Sequence, residues 1–90
     1  MSSNVTSLRR SDVTWILEEM LSADREMKAG NQVAYMNGRL LALKACASQF
    51  MNVSRKDLDR YLAWLASEVE SGKRIGALPE PLAWVRGNPA

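Results

Sequence analysis

The chain has 90 residues, of which 47% are apolar and 24% are charged, and its formal net charge is +2. A chain of this length supports one small domain with a single core and is too short for two. It contains no His and a single Cys, Cys46, which excludes an intramolecular disulfide and a structural zinc site built from Cys and His. The lone thiol, the lack of a secretory segment and the lack of an apolar run near the roughly 20 residues of a membrane span predict a cytoplasmic protein that needs neither a membrane nor a cofactor.

The first predicted elements are a polar N-terminal segment and a helix. Residues 1–10 begin with small polar side chains and are expected to be disordered. A helix is predicted over residues 12–29, with Ser11 as its N-cap and Gly30 as its stop. Its apolar residues recur at helical spacing; they are Val13, Ile16, Leu17, Met20, Leu21 and Met27.

The second predicted helix, residues 32–51, is apolar on two sides. One side carries a seam at spacings of three and four, formed by Val33, Met36, Leu40, Leu43, Ala47 and Phe50. The other side carries small residues flanked by two larger ones: Ala34, Tyr35, Gly38, Leu41, Ala42 and Ala45. Because a Gly inside a helix costs about 1 kcal/mol relative to Ala, Gly38 indicates the close approach of another backbone. Two interpretations stay open: this side packs on the first helix or the tail, or it forms a homodimer face.

The third predicted helix, residues 54–71, and the tail complete the chain. The apolar stripe of this helix consists of Leu58, Leu62, Leu65 and Val69. The tail, residues 73–90, holds all three prolines, and Pro81 is placed to open one short helical turn. The sequence therefore predicts an all-α fold, with a three-helix bundle or helical array over residues 11–72 and an ordered Pro-containing tail packed on the helices.

The corner between the second and third helices, residues 44–63, carries a local motif. A small residue, Ser48, precedes a turn in which Asn52 tolerates positive φ and Val53 and Ser54 follow. With Leu58 and Tyr61 as buried positions, the segment resembles the helix-turn-helix motif of DNA-binding proteins. The resemblance implies a surface that faces the major groove or phosphates, formed by Ser54, Arg55, Lys56, Asp59 and Arg60. The five basic and two acidic side chains of residues 31–60, a net +3, agree with this surface or with another acidic partner.

An ordinary helical corner explains the same residues. Ser54 then serves as an N-cap with Asp57 completing a capping box, and Val53 and Leu58 form a hydrophobic staple. Asn52 ends the second helix in the left-handed conformation. Since the Asp57 carboxylate also places negative charge where phosphates would lie, DNA binding is the alternative hypothesis.

Catalytic chemistry has little support in the sequence. General acid–base catalysis most often uses His, which is absent. Glu18 and Glu19 are adjacent and point about 100° apart on a helix, so they do not form a facing pair. Asp24 is placed to pair with Lys28 at i, i+4, and Cys46, beside the apolar seam, is interpreted as a small buried filler. The sequence predicts that the protein is not an enzyme.

The three tryptophans are candidate anchors for a partner. Trp15 and Trp64 each lie off the main apolar stripe of their helix and are interpreted as edges of the core. If exposed, either one is a natural protein-binding anchor. Trp84 is expected to fold the tail onto the helices, and the alternative is that residues 78–82 form an exposed Pro-containing peptide for a partner groove.

The expected function follows from the small size, the missing catalytic chemistry and the surplus apolar helix surface. The leading hypothesis is a small cytoplasmic regulator, adaptor or inhibitor that binds a protein partner and forms a homodimer. The alternative is a helix-turn-helix transcriptional regulator that reads DNA through the third helix. Neither hypothesis needs a metal, a cofactor or a small-molecule substrate, and the size would suit a phage or mobile-element protein.

Overall fold

Four α-helices and no strands form the part of the chain that the computed structural model describes, residues 10–89. The helices are α1 (Arg10–Lys28), α2 (Val33–Met51), α3 (Arg55–Glu70) and α4 (Pro81–Gly87), and a single 3₁₀ turn, Ile75–Ala77, precedes α4. The prediction of an all-α fold with three main helices is confirmed, and the predicted helix ends lie within two residues of the observed ones.

The start of α1 differs from the prediction. The helix begins at Arg10, so Ser11 lies inside it and is not its N-cap. Arg10 is helical rather than disordered, and the other residues of the predicted disordered segment lie outside the described residues.

The end of α1 follows the prediction. Gly30 has φ +81°, and its N–H donates to the Met27 carbonyl at 3.0 Å while the Asn31 N–H donates to the Glu26 carbonyl at 2.9 Å. These two bonds form a Schellman motif, which needs a left-handed residue where Gly is least strained. The short connection that follows makes α1 and α2 an antiparallel hairpin.

The corner between α2 and α3 is held by side chains of the corner itself. Asn52 lies in the left-handed region at φ 56°, and the N–H groups of Asn52 and Val53 both donate to the Ser48 carbonyl. The Ser48 hydroxyl donates to the Val53 carbonyl at 2.5 Å. Ser54 caps α3, because its hydroxyl accepts from the Asp57 N–H at 3.1 Å. The predicted roles of Asn52 and Ser54 are therefore confirmed.

Only one half of the predicted capping box forms. The Asp57 carboxylate accepts from the guanidinium of Arg60, with 3.1 Å between Oδ1 and Nη2, rather than from the N–H of Ser54. Val53 and Leu58, the predicted staple pair, are both buried.

The core lies between the three long helices. Five of the largest fully buried side chains come from α1 and α3, namely Leu17, Met20, Leu58, Tyr61 and Leu65, and α2 adds the buried Leu40, Ala47 and Met51. The predicted seam of α2 was wrong at both ends, since Val33 and Phe50 are exposed. At 100° per residue, Phe50 lies about 80° around the helix from the mean direction of the buried α2 residues, and Val33 lies at the hairpin end of α2.

The tail packs on α3, as predicted. Pro81 is buried at the first position of α4, and the Tyr61 hydroxyl donates to the Pro79 carbonyl at 2.8 Å. The Trp84 ring stacks on Trp64 at 5.3 Å and meets Tyr61 edge-on at 5.7 Å. Trp64 is thus half-buried at the edge of the core, as expected. The alternative of an exposed tail peptide is wrong, because Leu78 and Pro81 are buried.

Candidate interaction surface on the second helix

The side of α2 that faces away from the core carries no charged side chain. None of the exposed residues of α2 is charged; they are Val33, Ala34, Tyr35, Asn37, Gly38, Leu41, Ala42, Ala45, Cys46, Gln49 and Phe50. We call Ala34, Tyr35, Gly38, Leu41, Ala42 and Ala45 the α2 face. An exposed helix side usually carries charged residues that keep it in water, so this one is unusual.

Both charged residues of α2 are held at the flanks of this surface by neighbouring helices. The Arg39 guanidinium forms an ion pair with Glu19 of α1, and the Lys44 ammonium lies 2.9 Å from the Asp59 carboxylate of α3. These pairs direct the two cationic groups of α2 toward α1 and α3. The α2 face therefore contains no charged residue, and the two cationic side chains of α2 are directed away from it.

All six residues predicted for the α2 face are exposed. Tyr35 and Leu41 are 61% and 48% exposed, and a Cβ placed on Gly38 would meet nothing within 4 Å. The interpretation that this side packs on α1 or the tail is wrong for the described residues. The reason is that α1 and α3 meet α2 at the flanks that carry Arg39 and Lys44, while α4 packs on α3.

Trp15 and Cys46 extend the apolar surface beyond the α2 face. Trp15 is 56% exposed, so the prediction that it packs at the edge of the core is wrong. Cys46 is exposed as well, so the prediction that it is a buried filler is also wrong. Trp15 lies one turn before Glu19 on the same side of α1, and Cys46 and Phe50 lie on the same edge of α2 as Arg39. The hairpin is antiparallel and Glu19 pairs with Arg39. Trp15, Cys46 and Phe50 therefore lie along the same edge of the hairpin.

The large exposed apolar side chains of the described residues all belong to the α1–α2 hairpin. They are Trp15, Val33, Tyr35, Leu41 and Phe50. A monomeric domain rarely exposes a large contiguous apolar patch without an interaction there, so the hairpin is a candidate interaction region. The sequence does not reveal which of these side chains are exposed. It does reveal the absence of charge along one side of the second helix, which was the available signal.

The surface that the helix-turn-helix resemblance assigned to DNA is only partly available. Arg55 and Lys56 are exposed at the start of α3. Ser54 is engaged as the cap, and Asp59 is paired with Lys44.

Arg60, the fifth residue of that surface, holds the tail. Its guanidinium pairs with Asp57, donates to the Asn88 carbonyl at 2.8 Å and lies 5.3 Å from the centre of the Trp84 ring. The cation–π interaction and the hydrogen bond join α3 to the end of α4. A phosphate bound by Arg60 would compete with both.

A groove of about 420 Å³ runs between α1, α2 and α3. Its lining includes the apolar Met20 and Leu40 and the ion pair between Lys28 and Asp24, in which Nζ and Oδ2 are 2.9 Å apart. The hydrogen bond and charge of Asp24, with a smaller effect of Glu70, raise the pKa of Lys28 above its ordinary value. The predicted pairing of Asp24 with Lys28 is confirmed, and it needs no further partner.

A second, open groove of about 780 Å³ lies between α1 and the 3₁₀ turn. Glu18 and Glu19 both border it, but Glu19 is held by Arg39 while Glu18 is exposed, so the two do not act as a pair. Within residues 10–89 no three His, Cys, Asp or Glu side chains gather as a metal site would require. In the same part of the chain, no helix has the length and apolar character needed to cross a membrane.

The α2 face is the most distinctive surface feature of the described residues. It combines an exposed apolar surface, small residues along its middle and ion pairs that hold charge at its flanks. Comparison with known proteins adds no assignment, since no protein-family model, curated protein or solved structure matches the chain.

Proposed function

We propose that the protein is a small non-catalytic regulator, adaptor or inhibitor that acts by binding another protein, and that the α2 face is its docking surface. The observation that carries the proposal is the uncharged exposed side of α2, whose two charges are both tied to neighbouring helices. An uncharged helix side of this length favours a protein partner over a polyanion, which would need cationic groups.

The apolar side chains supply the driving force for docking. About half of the area of Tyr35 and of Leu41 is exposed to water. Burying this exposed area in an interface contributes about 1 kcal/mol for each residue. Gly38 and the three alanines keep the middle of the surface flat, which lets a partner helix approach to about 8 Å between axes, the close end of the usual range. A partner with an apolar helical segment fits such a surface.

Capture of proteins from host lysate with two matched variants tests this proposal. Ala42→Glu places a charge on the α2 face, and Ala63→Glu makes the same change at an exposed position of α3. We expect wild type and Ala63→Glu to retain the same nuclease-resistant partner and Ala42→Glu to lose it. Equal retention by both variants, with unchanged circular dichroism, would contradict the proposal.

Binding of duplex DNA is the second candidate function. The positive φ of Asn52, the cap by Ser54 and the exposed Arg55 and Lys56 at the start of α3 favour it. The engagement of Arg60 with the tail weakens it.

A mobility-shift titration against salt tests DNA binding. The double variant Arg55→Ala/Lys56→Ala should weaken binding and lower the salt slope by about 1 for each phosphate that the protein no longer neutralises. Lys73→Ala/Arg86→Ala is the control, because it removes the same charge from exposed positions elsewhere. If mixed genomic fragments give no shift even at low salt, this candidate is excluded.

A further inference from the structure

We infer that the α2 face binds a second copy of this chain, with the two α2 helices antiparallel around a twofold axis at the level of residue 40. The inference rests on the proposed function, because it names the partner of the same surface. It is supported by three independent properties of that surface: its charge, the arrangement of small and large residues, and its area.

Charge favours a copy of the same chain. In a symmetric dimer each surface meets itself, so any net charge on it would be repelled by the same charge on the partner. The exposed side of α2 has none, because Arg39 and Lys44 are paired with Glu19 and Asp59. By contrast, the start of α3 exposes Arg55 and Lys56 and would repel its own copy.

The order of small and large residues also fits an antiparallel pair. With the axis at the level of residue 40, Gly38 lies level with Ala42 of the second copy, and Tyr35 lies level with its Ala45. Small residues then meet small residues near the axis, where the helices are closest, and a large ring meets a small residue away from it. This accounts for the open space at Gly38, where a Cβ would meet nothing within 4 Å in the single chain.

The exposed apolar area of the α2 face, taken together with the adjoining edge of the hairpin at Trp15 and Phe50, approaches what a specific dimer needs. Trp15, Tyr35 and Phe50 are 56%, 61% and 58% exposed, which at roughly 200 Å² per aromatic side chain amounts to about 350 Å². Leu41 and the small residues bring the surface to about 600 Å², somewhat below the roughly 800 Å² per partner of a standard interface. The dimer is therefore expected to dissociate on dilution.

The mass of the protein in solution tests the inference. A single chain has a mass of 10.0 kDa, and light scattering between about 10 μM and 1 mM should show the mass doubling with concentration. Gly38→Leu should stay at the single-chain mass throughout. Ala63→Leu, the control on α3, should dimerise like wild type. Circular dichroism of each variant separates loss of association from loss of folding.

Cys46 provides a second readout that needs no substitution. It is exposed at the edge of the surface, so its rate of alkylation should fall severalfold over the same concentration range in wild type. The rate should not change with concentration in Gly38→Leu. If Cys46 reacts at a constant rate and wild type keeps the single-chain mass at 1 mM, the inference is overturned.

Disulfide trapping tests the orientation of the helices. Two chains, one with Gly38→Cys and one with Ala42→Cys, both in a Cys46→Ser background, are mixed and oxidised. From equal amounts of the two chains, the antiparallel pair predicts that the mixed disulfide between positions 38 and 42 exceeds the sum of the two homodisulfides, which it would only equal under random pairing, since a disulfide needs Cα atoms within about 7 Å. Predominance of the two homodisulfides would indicate parallel helices and overturn the proposed arrangement.

The failures of the two proposals can be told apart. Suppose that the chain is monomeric at all concentrations and that only Ala42→Glu loses a captured protein. Dimerisation through the α2 face is then refuted, and the proposal that this face binds another protein stands. A monomeric chain whose captured proteins are the same in Ala42→Glu and Ala63→Glu refutes both.

Discussion

The packing of α4 on α3 predicts a large difference between two chemically identical substitutions, Trp84→Ala and Trp15→Ala. The Trp84 ring packs against the rings of Trp64 and Tyr61, and each such pair is worth about 0.5–1.5 kcal/mol beyond its area. The guanidinium of Arg60 over the same ring adds about 0.5–1 kcal/mol. With the area of a half-buried ring included, Trp84→Ala should lower the free energy of unfolding by about 3–4 kcal/mol, within the usual range for such truncations.

Trp15→Ala is the matched control. Its ring is 56% exposed, so its loss removes only part of the area term and should lower the free energy of unfolding of the single chain by about 1 kcal/mol. Urea denaturation followed by circular dichroism measures both, and Trp84→Ala should lower the midpoint by about 2–3 M at the slope expected for a small domain. The experiment is run at low micromolar concentration, because dimerisation would add stability that depends on concentration. Agreement of the two variants within about 1 kcal/mol would refute the assigned role of Trp84.

Four further predictions concern the caps of the helices, Gly38 and the ion pair of Lys28. Ser54→Ala should lower the free energy of unfolding by about 1 kcal/mol because α3 loses its cap, and Asn52→Ala should lower it by about 1–2 kcal/mol because of the positive φ. Asn52→Gly should have little effect in the same urea experiment, and equal costs for the two Asn52 variants would contradict the left-handed conformation. Gly38→Ala should raise the free energy of unfolding of the monomer by up to about 1 kcal/mol, since the added Cβ meets nothing; a decrease would reveal a hidden clash. Asp24 raises the pKa of Lys28, so the stabilisation by this ion pair is complete below the pKa of Lys28 in the unfolded chain and is lost as pH rises through its pKa in the folded chain. In an NMR titration, Asp24→Asn should lower the pKa of Lys28. An unchanged pKa would contradict the pairing.

The corner between α2 and α3 could be predicted because its signals are local. The bonds of Ser48, Asn52 and Ser54 span three to five residues, so each is encoded by neighbours in the sequence. The same reasoning worked for Gly30 at the end of α1. It failed for Ser11, because α1 starts at Arg10 and so includes the predicted cap residue.

The sides of the helices were harder to predict, since they depend on packing between distant residues. Phe50 and Met51 both continue an apolar series at helical spacing, and only the angle at which α2 meets the core decides that Met51 is buried. Trp15 and Cys46 were placed inward for their apolar character, although the hairpin leaves both at an exposed edge. The hydrogen bond from Arg60 to the Asn88 carbonyl joins residues that are 28 positions apart in the sequence, and no local sequence pattern indicates it.

Arg60 separates the two candidate functions more sharply than the oligomeric state does. Helix-turn-helix proteins commonly bind DNA as symmetric dimers, so a dimer through the α2 face would not exclude DNA binding. The guanidinium of Arg60 already binds Asp57, the Asn88 carbonyl and the Trp84 ring, and so holds α4 to α3. A phosphate that recruited it would release the Trp84 ring and the Asn88 carbonyl, and DNA binding would then cost part of the stability of the fold. The α2 face carries no such conflict, because Tyr35 and Leu41 already point their exposed area into water and docking would only cover it.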